Sequence, residues 1–356
     1  MNDIAETRTL AFEDAPVPNG VEFKPIDPAI IPIEAYTPQA YAQLENERLW
    51  GKVWQAACRI EEMPDVGDYV TYEIMDESII VVRSAPDKIE AYYNVCQHRG
   101  RRLTEGCGHT SQFTCKFHGW RWKLNGETAF INDRKGYDDC LTPENTRLAA
   151  VKVDTWGGWV WINMDPDCEP LRDYLEPIAT YLDQYQLDRM RYRWRQWLVF
   201  PCNWKTALEA FNESHHAAIT HPQLCEWGSP AFYWCRAEGR HAWHGPASSG
   251  GPGGEAGTQS AVAMNSREGG AAYDPRIAMA QSLRATMEGV NACTTQTMIE
   301  AADSLTQSLS EGTPVEEVLA HFTRVAQGID RARGVDWPMA SASSNFRSRF
   351  AICSSW

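Results

Sequence analysis

The chain has 356 residues and a formal net charge of −14 at pH 7. This length allows two domains, each with its own core. The acidic balance argues against nucleic acid or an anionic membrane as a partner, because phosphate binding needs clustered Lys and Arg. No apolar stretch approaches the ~20 residues of a transmembrane helix, and the first residues lack the pattern of a secretory signal. The eleven Cys follow no disulfide-framework spacing, so we expect a soluble, cytoplasmic protein.

The N-terminal half of the chain is predicted to be rich in strands. Residues 1–40 carry many Pro and acidic residues, and we expect an extended arm there. A short helix near residues 38–53 opens a first domain, residues 41–168. Four β-branched or aromatic runs separated by Gly, Pro and Asp turns predict a small antiparallel β domain. These runs are Tyr69–Tyr72, Ile79–Val82, Ala91–Asn94 and Trp159–Ile162.

Two short clusters in this β domain each combine one thiol with one imidazole. They read Cys96-x-His98 and Cys115-x-x-His118, with sixteen residues between the first His and the second Cys. We expect both pairs at the tips of hairpin-like loops. One Cys and one His from each of two loops can bind two different irons. Two thiolates then take one iron and two neutral imidazoles the other, as in a Rieske [2Fe–2S] centre.

This ligand set predicts a cofactor that accepts and passes single electrons. Replacing two anionic thiolates by imidazoles places the reduction potential at roughly −150 to +300 mV. The alternative is structural zinc. Zinc fingers, however, usually have two Cys in one segment and two His in the other, whereas each segment here has one of each. Gly100 and Gly119 would allow the backbone to approach a sulfide. Phe117, Trp120 and Trp122 could shield the centre from water.

A second domain, residues 169–336, is predicted to combine helices with strands. It begins with apolar residues at helical spacing over 171–184, followed by a segment that alternates like a strand over 191–199. Three helices are then predicted over residues 276–292, 296–311 and 314–332. Thr313 and Glu316 have the spacing of a capping box at the start of the last one.

Residues 203–221 are the most informative segment of the second domain. Their pattern predicts a helix that Asn203 caps and that ends before Pro222. Glu213 and His216 are three residues apart and point the same way. His216 and His221 can meet one metal only if the helix ends between them. Two His and one carboxylate form the site of non-haem Fe(II) oxygenases. The alternative is that these are ordinary surface or core histidines.

Taken in order, these motifs resemble the α subunit of Rieske non-haem iron oxygenases, the aromatic-ring-hydroxylating dioxygenases. The resemblance spans roughly residues 40–335 and includes Cys-x-x-His-Gly-Trp, Asn-Trp-Lys and Glu-x-x-His with a second His five residues on. It implies an α+β, helix-grip-like catalytic domain after the Rieske domain. It also implies metal ligands, which are Cys96, His98, Cys115 and His118 for the cluster and His216 and His221 for a mononuclear Fe(II).

The resemblance further implies partners and a substrate class. Glu213 occupies the position of a carboxylate that links a neighbour's cluster histidine to the local iron histidine within a ring of three subunits. A reductase or ferredoxin would supply electrons from NAD(P)H, O₂ would hydroxylate an aromatic or related apolar compound, and a small β subunit is a possible partner. The alternative substrate is a quaternary ammonium compound such as choline or carnitine, since a cation–π cage needs Trp and Tyr. Aromatic residues that suit either pocket are Trp227, Tyr233, Trp234 and Trp243.

The C-terminal residues depart from the family pattern. The family's catalytic domain continues past residue 335, whereas residues 337–356 match nothing expected there. We therefore expect a truncated catalytic domain with an atypical tail and an unknown third, carboxylate ligand. Asp330 and Asp336 follow a helix too closely to match the family position. The alternative functions are a truncated electron-transfer or inactive Rieske protein, or a zinc-stapled binding module.

Overall fold

The computed structural model describes residues 33–37, 39–137, 139–183, 185–192, 195, 197, 199–211, 220, 233–238, 240–246, 274–290 and 294–334. These residues fall into two compact units, one over Ile31–Tyr192 and the other from Arg193 onward. The predicted α+β organisation is confirmed, with antiparallel sheets in the first unit and helices with a hairpin in the second. Within the described part of the chain, no helix is both long and apolar enough to cross a membrane.

The first unit is built on antiparallel strands. They are β1 (Gln55–Arg59), β2 (Asp68–Ile74), β3 (Glu77–Ala85), β4 (Lys88–Tyr93), β5 (Cys107–His109), β6 (Gln112–Thr114), β7 (Arg121–Lys123), β8 (Thr128–Phe130), β9 (Ala150–Trp156) and β10 (Trp159–Asn163). A seven-stranded sheet has the order β1-β10-β9-β4-β3-β2-β5, and a three-stranded sheet has the order β6-β7-β8. All four predicted strand runs lie in the larger sheet, within β2, β3, β4 and β10 and the residue after β4.

Short helices complete the first unit. They are α1 (Gln39–Glu45), which continues as a π-helical turn (Asn46–Trp50), α2 (Pro143–Thr146), α3 (Leu171–Leu175) and α4 (Ile178–Asp183). Single 3₁₀ turns occur at Ile33–Ala35, Ile60–Glu62, Arg134–Tyr137 and Leu187–Arg189. The first of the predicted helices, near residues 38–53, is thus present as α1 and the π-helical turn.

Strand β3 is buried on both faces, which explains its uninterrupted apolar run. Successive strand residues face opposite sides of a sheet. Ile80 and Val82 therefore belong to one core, whereas Ile79 and Val81 belong to another. All four are fully buried, and each contributes roughly 1.5–3 kcal/mol on burial. The core that contains Ile80 and Val82 also contains both cysteines of the two sequence clusters.

The first unit extends to Tyr192, past the domain boundary predicted at residue 168. Helices α3 and α4 pack on the larger sheet, where Leu171 joins the core formed by Trp54 and Trp161. The Trp54 indole donates a hydrogen bond to the carbonyl of Glu169 at 2.9 Å. The buried guanidinium of Arg59 donates to the carbonyl of Met190 at 2.6 Å. These long-range contacts hold residues 169–192 on the β unit.

The second unit contains helix α5 (Trp204–Glu209), a hairpin of β11 (Tyr233–Glu238) and β12 (His241–Pro246), and helices α6 (Pro275–Val290), α7 (Gln296–Asp303), α8 (Leu305–Ser308) and α9 (Val315–Ala332). Asn203 caps α5 as predicted, because its side-chain oxygen accepts a hydrogen bond from the backbone N–H of Lys205 at 3.0 Å. The helix predicted over residues 203–221 nevertheless ends at Glu209, and residues 210 and 211 form a turn. Helices α6 to α9 share an apolar core around Leu283, Met298 and Phe322. The three helices predicted over residues 276–332 are therefore present, with the second divided into α7 and α8.

Three other details of the predicted secondary structure are wrong. The helix expected over 171–184 is divided at Pro177 into α3 and α4, since proline supplies no N–H to the preceding turn. The described residues of 191–199 form no strand and belong to no sheet. The predicted capping box of α9 does not form, because Pro314 is the N-cap and Thr313 donates its hydroxyl hydrogen to the carbonyl of Ser310 at 2.7 Å.

Candidate metal centres

The two Cys–His clusters lie on loops with the same backbone geometry. In the first loop, the N–H of Gly100 donates to the Cys96 carbonyl at 2.9 Å, and the N–H of Cys96 donates to Arg101 at 2.8 Å. In the second loop, the N–H of Gly119 donates to the Cys115 carbonyl at 3.0 Å, and the N–H of Cys115 donates to Trp120 at 2.8 Å. The second loop connects β6 to β7, and the first follows β4. Each sequence therefore closes the same turn around its cysteine.

Glycine is required at one position of each turn. Gly100 has a φ of +70° and Gly119 a φ of +74°, a conformation that L-residues with a Cβ atom rarely adopt. Each glycine lies four residues after its cysteine, and its N–H donates back to the carbonyl of that cysteine. Gly100 and Gly119 are predicted to allow close approach of the backbone to a sulfide, and their positive φ values add a conformational reason for glycine.

The four candidate ligands come together as two like pairs. The imidazole rings of His98 and His118 have centroids 4.7 Å apart, and the thiols of Cys96 and Cys115 are within hydrogen-bonding reach of each other. Both cysteines are buried, whereas both histidines are partly exposed. The thiol pair thus lies inside the unit and the imidazole pair at its edge.

The pKa values of the two thiols are shifted in opposite directions from the ordinary cysteine value. Burial raises the pKa of Cys96, and two backbone N–H groups of its own loop offset this only in part. At Cys115, burial also favours the neutral thiol. Two backbone N–H groups of its loop and the Cys96 thiol outweigh that effect, so its pKa is lowered. Backbone donors aimed at each sulfur are suited to a thiolate, the form that ligates metals.

The His98 ring is arranged as a neutral ligand. Burial lowers its pKa, and the neighbouring His118 ring acts in the same direction, which favours the neutral imidazole that metals bind. Its Nδ1 atom is buried and has no hydrogen-bond partner. A buried polar atom without a partner is costly unless a ligand satisfies it. The Nδ1 atom therefore marks the side of the ring that suits a metal.

The aromatic residues around the loops differ in burial. Trp120 is buried and stacks on the His98 ring at a centroid distance of 5.1 Å and an interplanar angle of 5°. Trp122 is also buried, and its indole donates to the carbonyl of Thr146 at 2.8 Å. Phe117, in contrast, is 58% exposed. The predicted shielding role fits both tryptophans. Phe117 packs on the His118 ring at a centroid distance of 4.0 Å but leaves most of its own surface exposed.

Tyr137 is a site residue that sequence reasoning missed. Its hydroxyl oxygen lies 3.3 Å from Nε2 of His98, and its ring meets the rings of both His98 and Trp120 edge-on. It belongs to a 3₁₀ turn that is 39 residues from His98 in sequence. Nothing local to that turn distinguishes Tyr137 from an ordinary partly buried tyrosine, so only the folded structure reveals the contact.

These residues fit a [2Fe–2S] cluster of mixed ligation. Each iron of such a cluster takes two protein ligands, two thiolates on one and two imidazoles on the other, which corresponds to the two like pairs. A single ion would instead need three or more donors around one point. Among the residues that the structure describes, no three or more His, Cys, Asp or Glu side chains surround one point at which an ion could bind.

The second predicted metal site lies outside the described residues. Glu213, His216 and His221 fall there, as do Asp336 and Trp227. Of the aromatic residues expected near the substrate, Tyr233 and Trp234 lie in β11 and Trp243 in β12. Asp330 lies in α9, where its carboxylate accepts a hydrogen bond from the Thr297 hydroxyl at 2.7 Å.

Comparison with protein-family models identifies both parts of the chain. Residues 53–138 match the Rieske [2Fe-2S] domain, and residues 180–288 match the catalytic domain of ring-hydroxylating α subunits. The chain thus has the domain pair of the Rieske non-haem iron oxygenase α subunits. The two domain matches imply a Rieske cluster and a mononuclear iron as cofactors.

Several curated proteins resemble this chain in sequence. The oxygenase subunit of carnitine monooxygenase from Escherichia coli (strain K12) is 30% identical over 218 residues, which are 60% of this chain and 56% of the relative. The glycine betaine monooxygenase oxygenase subunit of Chromohalobacter salexigens is 31% identical over 52% of this chain and 42% of that protein. The α subunit of biphenyl 2,3-dioxygenase from Rhodococcus jostii is 30% identical over 55% and 43%. The chain thus spans about half the length of the curated relatives it matches.

Solved structures show the same similarity in three dimensions. The quaternary ammonium Rieske monooxygenase CntA, in complex with its substrate γ-butyrobetaine, has a TM-score of 0.55 and 27% identity, with 60% of each chain covered. Naphthalene 1,2-dioxygenase from Rhodococcus sp. has a TM-score of 0.54 and 26% identity, with 61% of this chain and 53% of that chain covered.

Proposed function

We propose that this chain is the oxygenase component of an enzyme that oxidises a quaternary ammonium compound with O₂. The observation that carries the proposal is the run of carnitine and glycine betaine monooxygenases among its relatives, together with the similarity to CntA. An aromatic compound, the main substrate predicted from the sequence, is the second candidate. It is supported by the biphenyl and naphthalene dioxygenases, which have similar identity to this chain.

We assign the Rieske cluster to the two loops of the first unit. Cys96 and Cys115 would bind one iron, and His98 and His118 the other. The support is the shared turn geometry, the pairing of like donors and the unpartnered Nδ1 of His98. When bound, such a cluster accepts and passes single electrons. Trp120 holds the His98 ring by stacking and excludes water from its buried side.

We assign the mononuclear Fe(II) to His216 and His221, with a third ligand that is not identified. Their spacing before Pro222 is the basis of this assignment. Glu213 is proposed as the carboxylate that connects this site with the cluster of a neighbouring subunit. That role requires an oligomer, and a homotrimer is the proposed assembly. Light scattering at a mass of about three chains of 40.2 kDa would support it, whereas a monomer would contradict it.

Electron supply is proposed to come from NAD(P)H through a separate reductase, with or without a ferredoxin. The relatives are named as oxygenase subunits, which implies a further component in those systems. A small β subunit is a further proposed partner. A protein that carries only the cluster and transfers electrons is the competing function, and its metal content separates it from an oxygenase.

Anaerobically purified protein is expected to contain about three irons for every two acid-labile sulfides, two in the cluster and one at the mononuclear site. His216→Ala is expected to lower this ratio to about two irons per two sulfides and to leave the Rieske electron paramagnetic resonance signal in place. Iron, sulfide and zinc analysis provides the measurement. A wild-type ratio of two to two would favour the electron-transfer function, and zinc without sulfide would exclude both.

Oxygen uptake is expected to depend on the positive charge of the substrate. With NAD(P)H and a reductase of a related system, γ-butyrobetaine, carnitine or glycine betaine should stimulate uptake. The carboxylate in which carbon replaces the nitrogen of γ-butyrobetaine should not, because a cation–π site recognises charge as well as shape. Biphenyl and naphthalene serve as the aromatic comparison. Stimulation by them alone would replace the proposed substrate class with the second candidate.

A further inference from the structure

The Tyr137 side chain is held against the cluster loops by contacts of its own. Its ring packs on the core that contains Cys96 and Cys115. It also meets Trp120 at a centroid distance of 5.8 Å and an angle of 81°, and His98 at 6.1 Å and 87°. These two edge-on contacts favour one orientation of the phenol. In that orientation the hydroxyl oxygen lies 3.3 Å from Nε2 of His98.

The two nitrogens of His98 face different surroundings, which fixes the direction of this hydrogen bond in the loaded site. Nδ1 is buried without a hydrogen-bond partner, so it is the nitrogen that the proposed cluster would use. A neutral imidazole that binds metal through Nδ1 carries its hydrogen on Nε2. The Tyr137 oxygen then accepts that hydrogen. A partner of this kind orients a ligand ring and makes it a stronger electron donor.

We propose that Tyr137 is a positioning residue that orients His98 and lowers the reduction potential of the Rieske cluster. The inference rests on the cluster site proposed above. A more electron-rich imidazole stabilises ferric iron more than ferrous iron, so accepting the Nε2 hydrogen makes reduction less favourable. Removing the acceptor should have the opposite effect.

Tyr137→Phe in the full chain tests the proposal, with Tyr69→Phe as the matched control. Tyr69 packs on the same core, but its hydroxyl bonds to Thr104 at 2.7 Å and does not touch the histidines. We expect the midpoint potential of Tyr137→Phe, measured by spectroelectrochemistry at a single pH, to shift upward from the wild-type value. The g-values of its reduced electron paramagnetic resonance spectrum should also change. Tyr69→Phe should match the wild type in both.

The possible outcomes separate this inference from the proposed cluster site. A wild-type protein without a Rieske signal would refute the site itself. A wild-type cluster whose potential is unchanged in Tyr137→Phe, or is changed equally in Tyr69→Phe, would overturn only the role of Tyr137. Because the potential is measured on the clusters that form, reduced occupancy does not affect the test. A Tyr137→Phe protein without any cluster, beside a loaded Tyr69→Phe protein, would assign Tyr137 to assembly and also overturn the tuning role.

Discussion

Cys115→Ser is expected to produce a protein with almost no bound iron or acid-labile sulfide and no Rieske signal. The Cys115 side chain is 1% exposed, and its sulfur faces two backbone N–H groups and the Cys96 thiol. A serine hydroxyl stays protonated near neutral pH and is a poor ligand for iron in a cluster that is normally held by thiolates. The loss should therefore be close to complete rather than partial.

The control for this experiment is Cys107→Ser. Cys107 is an exposed free thiol in β5, outside both loops, and its replacement should leave the iron and sulfide content unchanged. Because metal binding contributes to folding stability, the cluster-free protein should also melt at a lower temperature than the wild type. Wild-type metal content in Cys115→Ser, or loss of the cluster from Cys107→Ser, would contradict the ligand assignment.

The cluster loops could be predicted from the sequence because their chemistry is local. Ligand type, ligand spacing and the glycines at positions 100 and 119 all occur within two segments of six residues. The apolar run of β3 was equally informative, since a strand buried on both faces has no alternation. In each case, the residues that determine the structure are neighbours in the chain.

Features that depend on distant partners could not be predicted. The carbonyl of Met190 accepts a hydrogen bond from Arg59, which is 131 residues away in sequence. This contact helps to hold residues 169–192 in the first unit, beyond the boundary predicted at residue 168. Tyr137 reaches His98 only through the fold. The hydrogen bond of Thr313 could not be predicted either, although its partner is close in sequence. Its hydroxyl has two possible partners near the start of α9, and it bonds to the preceding carbonyl of Ser310 instead of capping the helix.

Trp122→Ala is expected to destabilise the first unit by about 3–5 kcal/mol, the usual cost of removing a buried Trp or Phe side chain. The Trp122 side chain is 0% exposed and lies in the core behind both cluster cysteines. Its loss also leaves the carbonyl of Thr146 without its indole donor, which adds about 1 kcal/mol if no water replaces it. Since each kcal/mol shifts the melting temperature of a unit of this size by about 2–4 °C, the expected decrease is roughly 6–20 °C from the lost packing alone and roughly 8–24 °C with the lost hydrogen bond included.

Two further variants separate packing from hydrogen bonding at this position. Trp122→Phe keeps most of the aromatic volume but removes the donor to Thr146, so it should lie between the wild type and Trp122→Ala. Phe117→Ala removes a side chain that is 58% exposed and should change the free energy of unfolding by less than about 0.5 kcal/mol. Thermal unfolding followed by near-ultraviolet circular dichroism measures all three. If Phe117→Ala were as destabilising as Trp122→Ala, the Phe117 side chain would be packed in solution and not exposed.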